Sequence, residues 1–339
     1  MKTLVLNAPG HFQQSETDLN TELQDGEVLL KIHRIGICGT DYHAFRGKQP
    51  FFSYPRILGH ELGAEVVAIS AGVDNVVVGD KVSVEPYINC GKCQACRNGK
   101  TNCCEKLQVL GVHSDGGMRE FLKVPANKVY ASKTLSYEQL ALVETLGIGS
   151  HAVNRAQVQA NDLVLVIGAG PIGLSVIQFA KLKGAKVAVM DMNEGRLAFC
   201  KQQLKVDETI LLKDNDPVEA IRGVLNGDLP TAVFDATGNP ASMMQAFKYV
   251  AHGGRLTFVG LFQGDVTFND PEFHRREVTL LASRNALPED FTSIIAAMEN
   301  GTLDTHPWVS HRVPFDSLID SFETLLLPES RVIKAVIEL

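Results

Sequence analysis

The stretch LVLVIGAGPIG, residues 163–173, decides the fold of this chain. Its five leading apolar residues predict a buried strand, and the glycines that follow have the spacing G-x-G-x-x-G, where a strand gives way to a helix. Gly168 allows a tight turn, Gly170 lets a pyrophosphate approach the backbone, and Gly173 lets the helix pack closely on the strand. The stretch therefore predicts a dinucleotide-binding turn.

The residues after these glycines indicate which dinucleotide binds. Pro171 and Ile172 open the helix, whose N terminus offers free N–H groups and a partial positive charge to phosphate. The next apolar run, KVAVMD, ends in Asp191, whose carboxylate can accept both ribose hydroxyls and would repel a 2′-phosphate. Arg196 leaves the choice open, because an arginine nearby either binds that phosphate or lies along the adenosine. The pattern favours NAD over NADP.

The rhythm of apolar runs divides the chain into two domains. Between about 163 and 282, six short apolar runs alternate with helix-length segments, which predicts a Rossmann, doubly wound parallel sheet covered on both faces. The first third instead has many short strands, such as NVVVGDKVSV, and predicts a mostly β domain. The final RVIKAVIEL alternates and predicts a strand that rejoins this first domain. We expect an α/β protein with a cofactor domain at 146–284 inside a catalytic domain at 1–145 and 285–339.

Composition excludes several classes of function. The 339 residues include 32 Lys plus Arg and 39 Asp plus Glu, giving a net charge of −7, and 45% are hydrophobic. No apolar run approaches the ~20 residues that cross a bilayer, and no basic cluster offers a surface to nucleic acid. The opening MKTLVLNAPG is too short and polar for a secretory signal. We expect a cytoplasmic protein that acts on neither membranes nor nucleic acids.

Five of the seven cysteines lie within fifteen residues, in a predicted lobe at 89–104. Cytosolic thiols are kept reduced, so a metal explains the cluster better than disulfides do. Four thiolates satisfy tetrahedral zinc and leave no open position, so such a site is structural; an iron–sulfur cluster is the alternative occupant. The predicted ligands are Cys90, Cys93, Cys96 and Cys104.

A second set of ligands lies outside this lobe. Cys38 is in GICGTDYH (36–43), and His60 and Glu61 are in GHELG (59–63). A thiolate, an imidazole and a carboxylate from separate loops make a three-ligand zinc site that keeps one position open for substrate.

These motifs, taken in order with the cysteine lobe and VIGAGPIG (166–173), resemble the zinc-dependent medium-chain alcohol dehydrogenases. The resemblance covers nearly the whole chain and is closest to the polyol branch, with its sorbitol, threonine and sugar-acid dehydrogenases. It implies that the mostly β catalytic domain is GroES-like and that Cys38 and His60 bind a catalytic zinc. The polyol branch takes its third ligand from a glutamate, here Glu144, and the resemblance makes Glu61 a direct or exchanging ligand.

The resemblance also implies roles around the metal. Thr40 occupies the position of the hydroxyl that relays the proton, and His43 that of a histidine that passes it to solvent or else lies idle at the surface. Asp41 matches the acid that orients the zinc-bound histidine. The segment ASRNA resembles one that borders the active cleft in polyol dehydrogenases, so Arg284 and Asn285 are candidate substrate contacts.

The expected function is hydride transfer between NAD and a secondary alcohol, in a chain that holds two zinc ions. A polyol or a sugar acid is the leading substrate class, followed by threonine-like amino alcohols and then simple alcohols. Family members are commonly homodimers or homotetramers. A protein that senses a nucleotide and binds zinc without catalysis is the alternative of another class, but it leaves Cys38, His60 and Glu144 unexplained.

Overall fold

A computed structural model describes residues 1–50, 52–213 and 215–339. The coordinates separate into two compact units, one of residues 1–145 and 286–339 and the other of residues 146–285. None of the described helices is both long enough and apolar enough to cross a membrane.

The described residues form strands and helices in an order that changes character between the two units. The strands are β1 (Lys2–Ala8), β2 (His11–Glu16), β3 (Glu27–Gly36), β4 (Glu61–Ile69), β5 (Lys81–Val84), β6 (Tyr87–Ile88), β7 (Gln108–Val109), β8 (Phe121–Pro125), β9 (Val129–Ser132), β10 (Leu163–Ile167), β11 (Lys186–Asp191), β12 (Glu208–Leu211), β13 (Ala232–Asp235), β14 (Arg255–Phe258), β15 (Thr279–Ala282), β16 (Val309–Pro314) and β17 (Lys334–Glu338). The α-helices are α1 (Gly39–Phe45), α2 (Gln94–Arg97), α3 (Tyr137–Ala141), α4 (Val143–Arg155), α5 (Pro171–Leu182), α6 (Glu194–Gln202), α7 (Pro217–Val224), α8 (Pro240–Ala246), α9 (Asp270–Arg275), α10 (Pro288–Glu299) and α11 (Leu318–Leu325).

The second unit contains a six-stranded parallel sheet in the order β12-β11-β10-β13-β14-β15. Counted from β10, this is the order 3-2-1-4-5-6 of a doubly wound dinucleotide-binding sheet, as the sequence predicts. The central β10 is almost entirely buried, which explains why its sequence is apolar without alternation. The sheet order reverses beside β10, so the glycine turn after this strand lies at the point where such folds bind their ligand.

Local sequence fixes where the helices of this unit begin. The side chains of Asn193, Asp216, Asn239 and Asn269 each accept a hydrogen bond from a backbone N–H in the first turn of the helix that follows. Proline comes next in two of these helices and second in α9, at positions where no N–H is needed.

The first unit contains a seven-stranded sheet in the order β16-β17-β3-β4-β5-β9, with β8 also paired to β3. The C-terminal strand β17 pairs antiparallel with β3, so the last residues of the chain join the sheet formed by the first third. The core of this unit draws on both segments, with Leu30, Ile35 and Leu62 from the first and Phe322 and Ile337 from the last.

One predicted strand in this unit is shorter than its sequence run. The run NVVVGDKVSV has the apolar pattern of a strand, with turn positions expected at Gly79 and Asp80, and only its second half, β5, pairs with neighbours. Val77 and Val78 are 61% and 58% exposed in the preceding turn. The backbone N–H of Val77 donates to the Asp80 side chain and ties this segment into a turn, an alternative to strand pairing that apolar patterning does not reveal.

Candidate metal and cofactor sites

The first residue of the predicted catalytic site lies at the start of helix α1. Cys38 directly precedes the helix, and its backbone N–H donates to Asp41 Oδ2 over 2.9 Å. This bond satisfies one of the free N–H groups at the helix start and fixes the residue that carries the thiol. Cys38 Sγ lies 3.7 Å from Thr40 Oγ1, so the predicted relay hydroxyl is next to the predicted ligand.

Strand β4 brings the second and third residues to the same place. His60 directly precedes β4 and Glu61 begins it, and both side chains are buried. One ligand atom each of Cys38, His60 and Glu61 lie within 4.8 Å of one another. Gly36 faces Glu61 across the β3–β4 ladder, and a Cβ atom there would lie 1.9 Å from Glu61 Oε2. The carboxylate therefore occupies space that only glycine leaves open.

The electrostatics of this group suit a cation. Burial by itself lowers the pKa of His60, but the negative charges of Cys38 and Asp41 outweigh burial and raise it well above the usual value. Burial also raises the pKa of Asp41. Within the described part of the chain, His60 Nδ1 and Asp41 Oδ1 have no hydrogen-bond partner and lie 3.9 Å apart. A thiolate, an imidazole and a carboxylate in an anionic pocket are a donor set that fits zinc.

His43 lies one helical turn after Thr40 on α1, so the two side chains share a face of the helix. Partial burial lowers the pKa of His43, and the positive charges of Arg46 and Lys48 lower it further. The histidine is therefore neutral near pH 7 and able to accept a proton.

The four-cysteine lobe forms a second group of donors. The Sγ atoms of the four predicted ligands, Cys90, Cys93, Cys96 and Cys104, lie within 4.8 Å of one another. Tetrahedral zinc with bonds of about 2.3 Å would place its four sulfurs roughly 3.8 Å apart, so little movement is needed. All seven cysteines are free thiols in the structure.

Backbone N–H groups donate hydrogen bonds to the sulfur atoms of the lobe. Hydrogen bonds from the backbone of Cys96 and Glu105 lower the pKa of Cys93 to about 6. The N–H groups of Cys90 and Lys106 donate to Cys104 Sγ over 3.2 and 3.3 Å, although burial raises the pKa of this thiol to about 11. A bound metal would supply the charge needed to ionise it. Cys103 is exposed and outside the group.

The glycine turn in the second unit has the geometry that its spacing requires. Gly168 has φ +96°, a backbone conformation that L side chains rarely adopt. A Cβ atom at Gly173 would lie 1.8 Å from the carbonyl oxygen of Gly168, so helix α5 packs as closely as the motif predicts. The half-exposed Asp191 ends β11 and accepts the Ala169 N–H over 2.6 Å, which ties the carboxylate to the turn. Arg196 Nη1 lies beside Gly170.

Two family models match successive parts of the chain. Residues 24–134 match the alcohol dehydrogenase GroES-like domain, and residues 171–300 match the zinc-binding dehydrogenase domain. The chain is 42% identical to L-galactonate-5-dehydrogenase of Escherichia coli (strain K12) over 314 residues, 92% of each protein. The chain belongs to the zinc-type medium-chain alcohol dehydrogenases. This confirms the family, the fold class and the oxidoreductase class predicted from the sequence.

Solved structures resemble this dehydrogenase over its whole length. The alcohol dehydrogenase rspB from Escherichia coli CFT073, complexed with the cofactor NADH, has a TM-score of 0.93 and 29% identity, covering 100% of this chain and 99% of that one. Galactitol-1-phosphate dehydrogenase from Escherichia coli has a TM-score of 0.92 and 27% identity, with full coverage of both chains.

Glu144 is the predicted ligand that the structure leaves outside the donor group. It is buried in the first turn of α4, but the group within 4.8 Å contains Glu61 instead. The hydroxyl of Tyr87 donates to Glu144 Oε1, and Lys334 Nζ lies 2.5 Å from the Glu61 carboxylate. Our sequence reasoning missed both partners. A lone lysine inside the apolar run VIKAVI was the available signal, because a buried lysine requires an anion.

The predicted substrate residues lie at the end of the second unit of this dehydrogenase. Arg284 is exposed, and Asn285 has φ +54°, in the left-handed region. Asn285 Nδ2 is buried without a hydrogen-bond partner among the described residues. A role of either residue in substrate binding stays a prediction.

Proposed function

We propose that this dehydrogenase oxidises a secondary hydroxyl of a sugar acid or polyol and transfers the hydride to NAD. The observation that carries the proposal is the 42% identity to L-galactonate-5-dehydrogenase over 92% of each chain. The donor group Cys38, His60 and Glu61 supports it, because a site of three such ligands keeps a position open for a substrate oxygen. We assign catalysis to the first unit and NAD binding to the second.

The residues around the donor group divide the chemistry between them. Zinc held by Cys38 and His60, with Glu61 or Glu144, would supply a Lewis acid that lowers the pKa of a bound hydroxyl. Thr40 Oγ1, next to Cys38 Sγ, accepts the proton of that hydroxyl and passes it on, and neutral His43 on the same helix face carries it toward solvent. Asp41 Oδ1, 3.9 Å from His60 Nδ1, would orient the imidazole by charge attraction rather than by a hydrogen bond. The four cysteines of the lobe would hold a second zinc, which would keep the lobe folded, so we expect two zinc ions per chain.

Positive charge supports an acidic substrate. Arg46 and Lys48 follow α1 and are exposed, which leaves both side chains accessible to an anion. Arg56 differs, because its guanidinium pairs with Asp115 at 3.1 Å and donates to Ser53. We therefore expect Arg46 and Lys48, rather than Arg56, to attract a carboxylate by long-range steering.

A substrate panel tests the proposal. NAD reduction should be followed spectrophotometrically with hexonates, unmodified and phosphorylated hexitols, threonine and simple primary alcohols. We expect kcat/KM to be highest for an aldonate or polyol, with the rate abolished by a strong chelator. Highest activity with threonine would replace the substrate class, whereas nucleotide binding without turnover of any member would favour the sensing protein.

Asp191 should decide between the two nicotinamide dinucleotides. Asp191→Asn removes the negative charge that accepts the ribose hydroxyls, and a hydrogen bond to a charged group contributes about 1.5–3 kcal/mol. We expect the KM for NAD to rise about tenfold or more and the KM for NADP to fall. Glu194→Gln, which removes a more exposed charge at the start of α6, is the control. An unchanged ratio of the two KM values would reject this role for Asp191.

The outer edge of the six-stranded sheet, at β15, is our proposed oligomer contact. β15 ends the sheet, and Leu280 at this edge is 39% exposed. Unpaired strand edges join readily to a second copy, and a lysine there prevents this. We expect Leu280→Lys to reduce the mass from a dimer or tetramer towards that of a monomer in light scattering. Leu182→Lys, at a leucine on α5 that is 44% exposed, should leave the mass unchanged. A wild-type mass for Leu280→Lys would contradict the contact.

A further inference from the structure

Two buried carboxylates lie beside the candidate catalytic site, and each is held by one buried donor. Glu61 is paired with Lys334, and Glu144 receives the hydroxyl of Tyr87. All four side chains are at most 5% exposed. The site therefore has two anionic candidates for a carboxylate ligand, and both have a partner that competes with a metal.

Lys334 restrains Glu61 from a fixed position. Its Nζ lies 2.5 Å from the carboxylate and also donates to Thr145 Oγ1 over 3.2 Å, so the ammonium is held from two sides. The lysine belongs to β17 and Glu61 to β4, and β3 pairs with both strands. Since the ammonium neutralises much of the carboxylate charge, Glu61 lies among the donors but is weakened as a ligand.

Tyr87 restrains Glu144 in a different way. The tyrosine is in β6, its ring packs edge-on against Phe291 with centroids 6.4 Å apart, and its hydroxyl donates to Glu144 Oε1. A phenolic hydroxyl carries its proton near neutral pH, so it can donate to the carboxylate. Glu144 has one oxygen engaged by this bond, and it lies outside the group of Cys38, His60 and Glu61.

We propose that Tyr87 and Lys334 are opposing positioning residues that decide which carboxylate, Glu144 or Glu61, binds the catalytic metal. Loss of the Tyr87 hydroxyl releases Glu144 to the metal, and loss of the Lys334 charge releases Glu61. This inference rests on the proposed function, because it requires a metal at Cys38 and His60. It predicts that removing either donor strengthens metal binding, whereas a residue that merely supports a ligand would weaken it when removed.

Cobalt-loaded protein gives a readout that does not depend on turnover. The visible absorption of Co²⁺ reports its coordination, and the rate of metal transfer to a chelator reports how firmly it is held. We expect Tyr87→Phe to change the spectrum and to slow metal release about tenfold, within the range of effects seen for residues behind metal ligands. The same substitution in a Glu144→Gln background should have no effect on release, because the released ligand is then absent.

The chain contains a matched control for both donors. Tyr130 also packs on Phe291 and donates to a buried carboxylate, Glu85 Oε2, over 2.7 Å, and Lys128 Nζ lies 2.5 Å from Glu85 Oε1. These side chains are outside both metal groups. Tyr130→Phe and Lys128→Met should therefore leave the cobalt spectrum and the release rate unchanged.

The second donor is tested in the same assay. Lys334→Met should slow the release of cobalt from the wild-type background but not from a Glu61→Gln background. Lys334→Arg, which keeps the positive charge, should release cobalt at the wild-type rate. Circular dichroism identifies any variant that fails to fold, and Tyr87→Phe, which removes one oxygen atom, then carries the test alone. Wild-type or faster release in Tyr87→Phe overturns the inference. Failure of the proposed function is distinguishable, because Cys38→Ser would then leave the cobalt content unchanged.

Discussion

Replacing Cys38 with serine should lower kcat/KM for the best substrate by about a thousandfold or more. A Lewis-acid metal stabilises the reacting oxygen by several kcal/mol, and about 4 kcal/mol corresponds to three powers of ten in rate. Serine keeps nearly the same shape and the Asp41 contact, which uses the backbone N–H of residue 38. The substitution therefore removes the thiolate and little else. Metal analysis should show the zinc content fall from two ions per chain to one.

Cys200 supplies the matched comparison for this substitution. It is fully buried on α6 in the second unit, and burial raises its pKa to about 12, so it is a protonated thiol. Cys200→Ser should keep both zinc ions and a kcat/KM within a fewfold of the wild type, even if it unfolds at a lower temperature. A Cys38→Ser enzyme that retained a tenth of its activity would contradict the catalytic-zinc assignment.

The parts of this protein that sequence predicts well are those whose residues are neighbours in the chain. In the glycine turn, the close approach of Gly173 to Gly168 follows from their spacing at the start of a helix. In the cysteine lobe, the ligands Cys90 and Cys104 are separated by a short loop, so their convergence needs little from the rest of the fold. Local geometry determines both features, and local pattern therefore reveals them.

The choice between Glu61 and Glu144 depends on contacts that no local pattern contains. Tyr87 is 57 residues from Glu144, and Lys334 is 273 residues from Glu61. The Lys334 contact depends on the pairing of the C-terminal β17 with β3, and the Tyr87 contact joins β6 to α4. Sequence thus predicts the candidate residues of the site, whereas the partners that restrain two of them required the tertiary structure.

The pairing of Gly36 with Glu61 illustrates the same limit. A glycine at the end of a strand ordinarily indicates a turn or a bulge. Here its missing side chain makes room for a carboxylate on the neighbouring strand, because a Cβ atom would lie 1.9 Å from Glu61 Oε2. Glycine is required at this position because of the register of β3 with β4, which the sequence does not specify.

Cys93→Ser should produce the largest loss of stability, because the lobe at 89–104 has almost no core of its own. Helix α2 buries none of its residues, and the buried residues of this segment are Asn102 and Cys104. Structural zinc contributes about 10–16 kcal/mol of apparent binding energy in small zinc-dependent folds, so metal loss should unfold the lobe. We expect one zinc per chain, rapid proteolysis within the lobe, and a Tm lower by about 5 °C or more in calorimetry.

Cys103→Ser tests whether the loss of stability comes from loss of the metal or from loss of any thiol in the lobe. Cys103 is adjacent to Cys104 in the chain but exposed and outside the donor group, so its replacement should leave zinc content and Tm unchanged. Cys38→Ser provides the opposite contrast, since it should remove the other zinc while the lobe stays resistant to protease. If Cys93→Ser kept two zinc ions, or if Cys103→Ser lost one, the assignment of the four ligands would be wrong. Because the two sites use different cysteines, stability and catalysis should be lost separately.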